Sequence, residues 1–242
     1  MTIWAALFWG GFSSASLYVG QALAGTVGRS RRATGLMMGF GAGTMISALA
    51  YQLVPESSLA TGWGLAVAFV LGALVYYGGD RLVDKNGGEA RAAIGDPEND
   101  GSGAAMFLGA LLDGIPEAFI LGLTLAVGGS ISVAFVTAVF VSNIPQGLAG
   151  TTSLQHAGYP HRKITVMWGA LTVACALAAV LGFVLADNLA DGGLKAEAFA
   201  GGAVLTMLAD SMMPEAFEYG GRAVGLMTVL GFLVAGLLSV AG

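Results

Sequence analysis

Charged side chains are scarce in this 242-residue chain, at 10% of all residues, whereas soluble domains carry about 25%. Hydrophobic residues make up 56%, and the mean hydropathy is +0.78. This composition excludes an ordinary soluble protein. The formal net charge of −5 also argues against nucleic acid as a partner. At about 20 residues per membrane span, little length remains for a separate catalytic domain.

Residues that commonly do chemistry are also few. The single cysteine, Cys175, excludes an intramolecular disulfide and a cysteine-cluster metal site within one chain. The only two histidines, His156 and His161, fall in one predicted loop, where we expect them to be solvated. No apolar run holds a histidine, or a serine paired with a base in a recognisable arrangement, so we expect no enzymatic activity.

What the chain does have is long apolar runs. Eight of them are long enough to cross a bilayer. They cover residues 2–24, 35–55, 63–83, 104–127, 131–154, 164–186, 196–219 and 222–241. No basic residue precedes the first run, so we expect it to be a retained span and not a cleaved signal peptide. The pattern predicts an all-α integral membrane protein with eight transmembrane helices, forming one transmembrane domain over residues 1–242.

The basic residues predict the orientation of these spans. With both termini outside, nine of the ten lysines and arginines fall in loops on one side, and only Lys195 falls on the other. Cytoplasmic loops carry the excess of basic residues. We therefore predict a multi-pass protein of the cytoplasmic (inner) membrane with both termini extracytoplasmic. The longest polar stretch, about 84–103, then forms a cytoplasmic linker after run three.

Run four carries two carboxylates at membrane depth. Asp113 lies about ten residues into the run, near the bilayer midplane at about 1.5 Å per residue. Glu117 follows four residues later and shares its helix face. Two neighbouring carboxylates at that depth repel each other unless a proton or a cation lies between them. The spacing therefore predicts a site for one divalent cation.

Run five repeats this arrangement with uncharged oxygens. Ser142, Asn143 and Gln146 surround Pro145, as Asp113 and Glu117 surround the proline of run four. A proline within a helix frees a backbone carbonyl, which must find a partner, water or an ion at membrane depth. We predict that these three side chains complete or orient the cation site.

Runs two and seven share a second pattern, a Pro-Glu pair at their carboxyl ends. The glutamates are Glu56 and Glu215, and the two runs are predicted to cross the membrane in opposite directions. This is expected of inverted repeats around a central helix pair. Glu56 would line the outer mouth and Glu215 the inner mouth, with Asp210 on an inner exit path. Met45, at mid-span in run two, could add a thioether ligand.

Together these features resemble the ZIP (Zrt/Irt-like) family of divalent-metal transporters, particularly its GufA-like prokaryotic branch. The resemblance covers nearly the whole chain. It is carried by the eight runs, the linker after run three, the two proline motifs and the Gly-Phe-Gly-Ala-Gly-Thr-Met stretch at 39–45. It implies a metal site between runs four and five, a homodimer in the membrane, and movement of a helix bundle that carries metal to the cytosol. Met45 matches a position that supplies a thioether in some members.

The site residues depart from the family pattern. Run four keeps Pro116 and Glu117 but has Asp113 and Gly114 in place of the usual His-Asn pair. Run five has Gln146 in place of the family's glutamate, and run six has no carboxylate over residues 169–176. Because two carboxylates cannot balance two divalent ions in a low dielectric, we predict at most one cation. Carboxylate, amide and hydroxyl ligands suit Mn²⁺, Fe²⁺ or Mg²⁺ better than they suit Zn²⁺, although zinc is not excluded.

The predicted function is therefore transport of a divalent metal ion, such as zinc, iron or manganese, toward the cytoplasm by alternating access. The metal is the substrate, no permanent cofactor is expected, and the lipid bilayer and a second copy of the chain are the other partners. One alternative is a ZIP-fold protein that senses metal or binds a partner without transport. Another is a proton-coupled carrier of a non-metal substrate.

Overall fold

The computed structural model describes residues 2–53, 62–83, 85, 103–128, 132–186 and 193–241, and this part of the chain contains helices and no strand. The helices are α1 (Ile3–Ala24), α2 (Arg31–Ala48), α3 (Trp63–Val83), α4 (Gly103–Gly128), α5 (Val133–His156), α6 (His161–Ala186), α7 (Leu194–Met207), α8 (Met213–Gly220) and α9 (Ala223–Ala241). A short 3₁₀ turn, Val27–Arg29, joins α1 to α2. Apart from Lys85 and Gly103, the predicted linker lies outside the described residues.

Six helical segments of the described chain are long and apolar enough to cross a membrane. They are Arg31–Tyr51, Trp63–Val83, Phe107–Val127, Val133–His156, His161–Ala186 and Ala223–Val240. The chain is therefore an all-helical protein with the spans of a multi-pass membrane protein. Two of the predicted runs are not in this set: α1, which is 22 residues long but has glycine and serine on its buried face, and α7, which has only 14 residues.

Capping residues set helix starts that hydropathy alone misplaces. Ser30 Oγ accepts the N–H of Ala33 at 3.2 Å, so α2 begins at Arg31 and includes basic residues ahead of its apolar run. Ser132 Oγ accepts the N–H of Phe135 at 3.1 Å and starts α5 in the same way. Such caps satisfy backbone donors that have no partner inside the helix.

The helices pack in matching pairs. Four pairs of helices pack along each other: α1 with α5, α4 with α6, α2 with α9, and α3 with α7. In addition α1 packs directly on α6, and α2 packs directly on α8. Helices α1, α4, α5 and α6 thus form one packed group, which α2 contacts at α5 and α7 contacts at α4.

Glycines allow this close packing. A Cβ on Gly20 of α1 would lie 2.2 Å from the carbonyl oxygen of Ile144, and a Cβ on Gly182 of α6 would lie 2.2 Å from that of Phe119. Real side chains never approach backbone so closely, so these helices touch along their backbones. All four interfaces have such a glycine from each partner: Gly20 and Gly147, Gly182 and Gly122, Gly43 and Gly231 between α2 and α9, and Gly72 and Gly202 between α3 and α7.

Two π-helical turns interrupt the fold at corresponding places. Leu49–Leu53 continues α2, and Leu208–Met212 joins α7 to α8. Each turn comes shortly before a Pro-Glu pair in the sequence. A π turn adds a residue to the helical turn, and such turns are frequent at functional sites. Only the second pair, which contains Glu215, lies within the described residues, because Glu56 lies outside them.

Candidate functional site

A cavity of about 50 Å³ lies between α2, α4, α5, α6 and the π turn that leads into α8. A space of this size holds about three water molecules. It is lined by Met38, Ala110, Asp113, Gln146, Ala149, Gly150, Trp168, Ser211, Met212 and Glu215. The lining therefore combines two carboxylates, an amide, a hydroxyl and two thioethers.

The cavity lies toward one end of the helices. Met38 and Trp168 lie in the first halves of α2 and α6, and Gly150 lies near the carboxyl end of α5. Glu215 lies in the first turn of the short α8, near the carboxyl end of the α7–α8 segment. These helix ends border the loops that carry most of the basic residues of the chain. The cavity thus extends from Asp113, in the middle of α4, toward the basic loops.

Asp113 is the acid at the buried end of this cavity, the end farthest from the basic loops. Its side chain is 8% exposed, and its Oδ1 accepts a hydrogen bond of 2.5 Å from the hydroxyl of Tyr76 on α3. Sequence reasoning missed Tyr76. The available signal was a tyrosine in the middle of an apolar run, because a buried phenol needs a hydrogen-bond partner.

Glu117 lies one helical turn beyond Asp113 and is more deeply buried, at 1% exposure. Neither of its carboxylate oxygens has a hydrogen-bond partner among the described residues, and it does not line the cavity. Its carboxylate lies close enough to the Asp113 carboxylate and the Cys175 thiol to interact electrostatically with both. A buried carboxylate without a partner is costly unless a proton or a cation neutralises it.

The three predicted residues of α5 fall in two groups. Gln146 lines the same cavity as Asp113, so the structure brings these two together. Ser142 and Asn143 are buried about one turn away and do not line it. The Ser142 hydroxyl donates to the carbonyl of Val139 at 3.0 Å, within its own helix.

The thioethers beside the cavity are not the predicted one. Met45 is 1% exposed and belongs to the apolar core between α2, α4, α5 and α7. Met38 lies two turns earlier in α2 and lines the cavity, together with Met212 from the π turn. Residues seven apart share a helix face, so Met38 and Met45 lie on the same side of α2 and differ in their position along it.

Of the two predicted pathway residues in the described chain, one lines the cavity and one does not. Glu215 is half-buried and lines the cavity, and Ser211 lies beside it. Asp210 is exposed in the π turn and does not line the cavity. Trp168, which the sequence reasoning missed, forms part of the wall, and its indole N–H donates to the hydroxyl of Thr151 at 2.9 Å.

Within the described ranges, no group of three or more histidine, cysteine, aspartate or glutamate side chains is placed to hold a metal ion. The two histidines do not line the cavity, and a ring nitrogen of His156 lies 2.8 Å from the carbonyl oxygen of Thr152. Any cation in the cavity would therefore meet Asp113, Glu215, neutral oxygen groups and two thioethers.

No family model matches the chain, and no curated protein sequence matches it. The resemblance to the ZIP family therefore stays a prediction from the sequence.

Proposed function

We propose that the chain is a ZIP-like membrane carrier that moves a divalent metal ion toward the cytoplasm by alternating access. The observation that carries this proposal is a cavity that ends at Asp113, a carboxylate in the middle of a membrane-length helix. Ionisable groups at such depth are costly and typically mark an ion or substrate path. Glu215, nearer the basic loops, supplies a second acid along the same cavity.

The architecture that we propose has eight spans, with α1 and the α7–α8 segment added to the six candidates. Matching sequence supports inverted repeats: Phe40 and Gly43 in α2 have the spacing of Phe199 and Gly202 in α7. Each of these phenylalanines offers its carbonyl to a glycine of the neighbouring helix. With four spans between the two, the segments would cross the membrane in opposite directions, as in transporters built from inverted repeats.

In the proposed orientation, with both termini extracytoplasmic, the cavity opens to the cytoplasm. Beyond Glu117 the same helices are closed by a buried apolar layer that includes Ile120, Leu121, Val139 and Val204. This corresponds to the inward-open state of an alternating-access carrier. Transport would require the apolar layer to open while the cavity closes.

The proposed ion contacts are the side chains of Asp113 and Gln146. Glu215, which lies nearer the basic loops, would contact the ion as it leaves the cavity. Glu117, at the boundary with the apolar layer, would meet the ion when access changes side. Such oxygen-rich ligands suit Mn²⁺ or Fe²⁺, and Met38 or Met212 could add a soft contact for Zn²⁺. We further propose that the carrier is a homodimer in the cytoplasmic membrane.

Transport of metal into proteoliposomes tests the function directly. The purified chain should give saturable uptake of at least one of Mn²⁺, Fe²⁺ and Zn²⁺, measured with an indicator dye trapped inside the vesicles. Protein-free vesicles serve as the control. If protein-containing vesicles take up none of the three ions faster than the control, the chain is not a metal carrier.

The side on which the cavity opens can be tested with thiol reagents. In a Cys175→Ala background, Ala149→Cys places a thiol in the cavity, while Ala138→Cys places one in the closed apolar layer of the same helix. An impermeant maleimide should label Ala149→Cys from the cytoplasmic side and should not label Ala138→Cys. Labelling of Ala149→Cys from the extracytoplasmic side alone would reverse the proposed orientation.

A proton-coupled carrier of a non-metal substrate is a second candidate. It is favoured by the lack of a three-ligand metal cluster in the described ranges and by the buried Glu117 carboxylate, whose oxygens have no hydrogen-bond partner there. A carboxylate in that setting can carry a proton as well as bind a cation.

Glu117→Gln separates the two candidates, because it keeps the shape of the side chain and removes its charge. For a metal carrier, we expect metal uptake to fall about tenfold or more, the effect of losing a charge-assisted contact of about 1.5 kcal/mol. For a proton-coupled carrier of another substrate, wild type should bind no divalent metal, and the substitution should abolish proton flux. Uptake is followed with the metal indicator and proton flux with a pH-sensitive dye in the same vesicles.

A further inference from the structure

Tyr76 of α3 contacts the site from outside the predicted motifs. Its side chain is 2% exposed, and its hydroxyl donates to Asp113 Oδ1 at 2.5 Å. Hydrogen bonds from a hydroxyl to an ionised carboxylate are typically about 2.5–2.7 Å long and are stronger than neutral ones. The bond therefore restrains the carboxylate that ends the cavity.

Close packing of α3 on α7 determines where this hydroxyl lies. Gly72, Tyr76 and Asp80 are buried at four-residue intervals and form one stripe along α3. A Cβ added to Gly72 would lie 1.7 Å from the Phe199 carbonyl oxygen, much less than a van der Waals contact. The two helices therefore touch one turn before Tyr76. This contact fixes the depth at which the phenol reaches α4.

The matching interface between α9 and α2 shows that such packing does not need a phenol. Gly231 of α9 contacts the carbonyl oxygen of Phe40 as Gly72 contacts that of Phe199, with a distance of 2.1 Å to an added Cβ. One turn beyond Gly231, the buried position that corresponds to Tyr76 is Ala235, at 3% exposure. Glycine contact between the helices therefore does not require a tyrosine at this position. The ring of Tyr76 packs in the apolar core, and its hydroxyl adds the bond to Asp113.

We propose that Tyr76 is a positioning residue that holds the Asp113 carboxylate in the direction of the cavity and thereby sets the affinity and selectivity of the site for divalent cations. A carboxylate restrained at one oxygen cannot turn freely to suit ions of different size. Rigid ligands discriminate between ions better than mobile ones. The inference rests on the proposed function of metal transport.

Tyr76→Phe tests this role, since it removes the hydroxyl and keeps the ring. We expect the KM for the transported metal to rise about tenfold, a change equivalent to about 1.4 kcal/mol. The maximal rate should change less, and the ratio of KM values for Mn²⁺ and Zn²⁺ should move toward one. Tyr77→Phe is the matched control, because Tyr77 is on the same helix, is 42% exposed and lies over the guanidinium of Arg81. It should transport like wild type.

Infrared spectroscopy separates positioning from a merely structural role. The carboxylate band that disappears in Asp113→Asn identifies Asp113, and this band should shift in Tyr76→Phe but not in Tyr77→Phe. An unshifted band, or a Tyr76→Phe protein with the KM and selectivity of Tyr77→Phe, overturns the inference while metal transport stands. Absence of metal uptake by wild type would instead remove the proposed function, and this inference with it.

Discussion

Replacing Asp113 by alanine is expected to abolish metal uptake, with a fall of at least about a hundredfold, equivalent to about 2.7 kcal/mol. The substitution removes the carboxylate at the buried end of the cavity, and it also leaves the buried hydroxyl of Tyr76 without this acceptor. Removing one partner of a buried hydrogen bond costs more than the bond itself contributes, because the other partner loses it without regaining water. Initial uptake rates in proteoliposomes, normalised to the protein incorporated, measure the effect.

Two further variants test whether the loss of uptake comes from the charge of Asp113. One keeps the shape of its side chain, and the other removes a different carboxylate. Asp113→Asn keeps the size of the side chain and should lose uptake to a similar extent. Glu218→Ala removes an exposed carboxylate of α8 and should transport like wild type. Wild-type uptake by Asp113→Ala would exclude Asp113 as an ion ligand. A wild-type chain that binds metal but shows no flux, even with Asp113 intact, would favour the sensor or partner-binding alternative.

Most helices could be placed from the sequence because hydropathy along a chain is a local property. The predicted run 63–83 coincides with α3, Trp63–Val83, and the run 104–127 differs from α4 by one residue at each end. The start of α2 was misplaced because the Ser30 cap extends the helix into polar sequence. The π turns had no sequence signal beyond the following prolines, since they depend on packing between helices.

The site was harder to predict because a sequence gives the residues on a helix face but not the neighbour that this face meets. Asp113 and Gln146 were predicted from charge or polarity at membrane depth, and Glu215 from the repeated Pro-Glu pair. The fold brings all three to one cavity. Met45 and Met38 share a face, and the position along α2 decides that only Met38 reaches the cavity. Tyr76 belongs to a helix that carries none of the motifs, so its contact with Asp113 depends on tertiary packing.

Backbone contact between α4 and α6 is the feature that places Asp113, because it fixes how far α4 is from its neighbour. Gly122 stands on α4 about one turn beyond Ala118. A Cβ on Gly122 would lie 1.9 Å from the carbonyl oxygen of Ala179 and 2.7 Å from its carbonyl carbon. Neither group is a flexible side chain that can move aside, so one added methyl group must separate the two helices.

Gly122→Ala is therefore expected to destabilise the protein by about 3 kcal/mol, the upper part of the usual range for overpacking. An alanine ordinarily stabilises a helix by about 1 kcal/mol relative to glycine. A decrease in stability would therefore identify a clash of the added methyl group with α6. Gly78→Ala in α3 is the matched control, because an added Cβ there meets no atom within 4 Å. Denaturant unfolding in detergent should show a lower midpoint for Gly122→Ala alone. Equal midpoints for the two variants would mean that α4 and α6 are not in backbone contact, and Asp113 would then lose the neighbour that fixes its position.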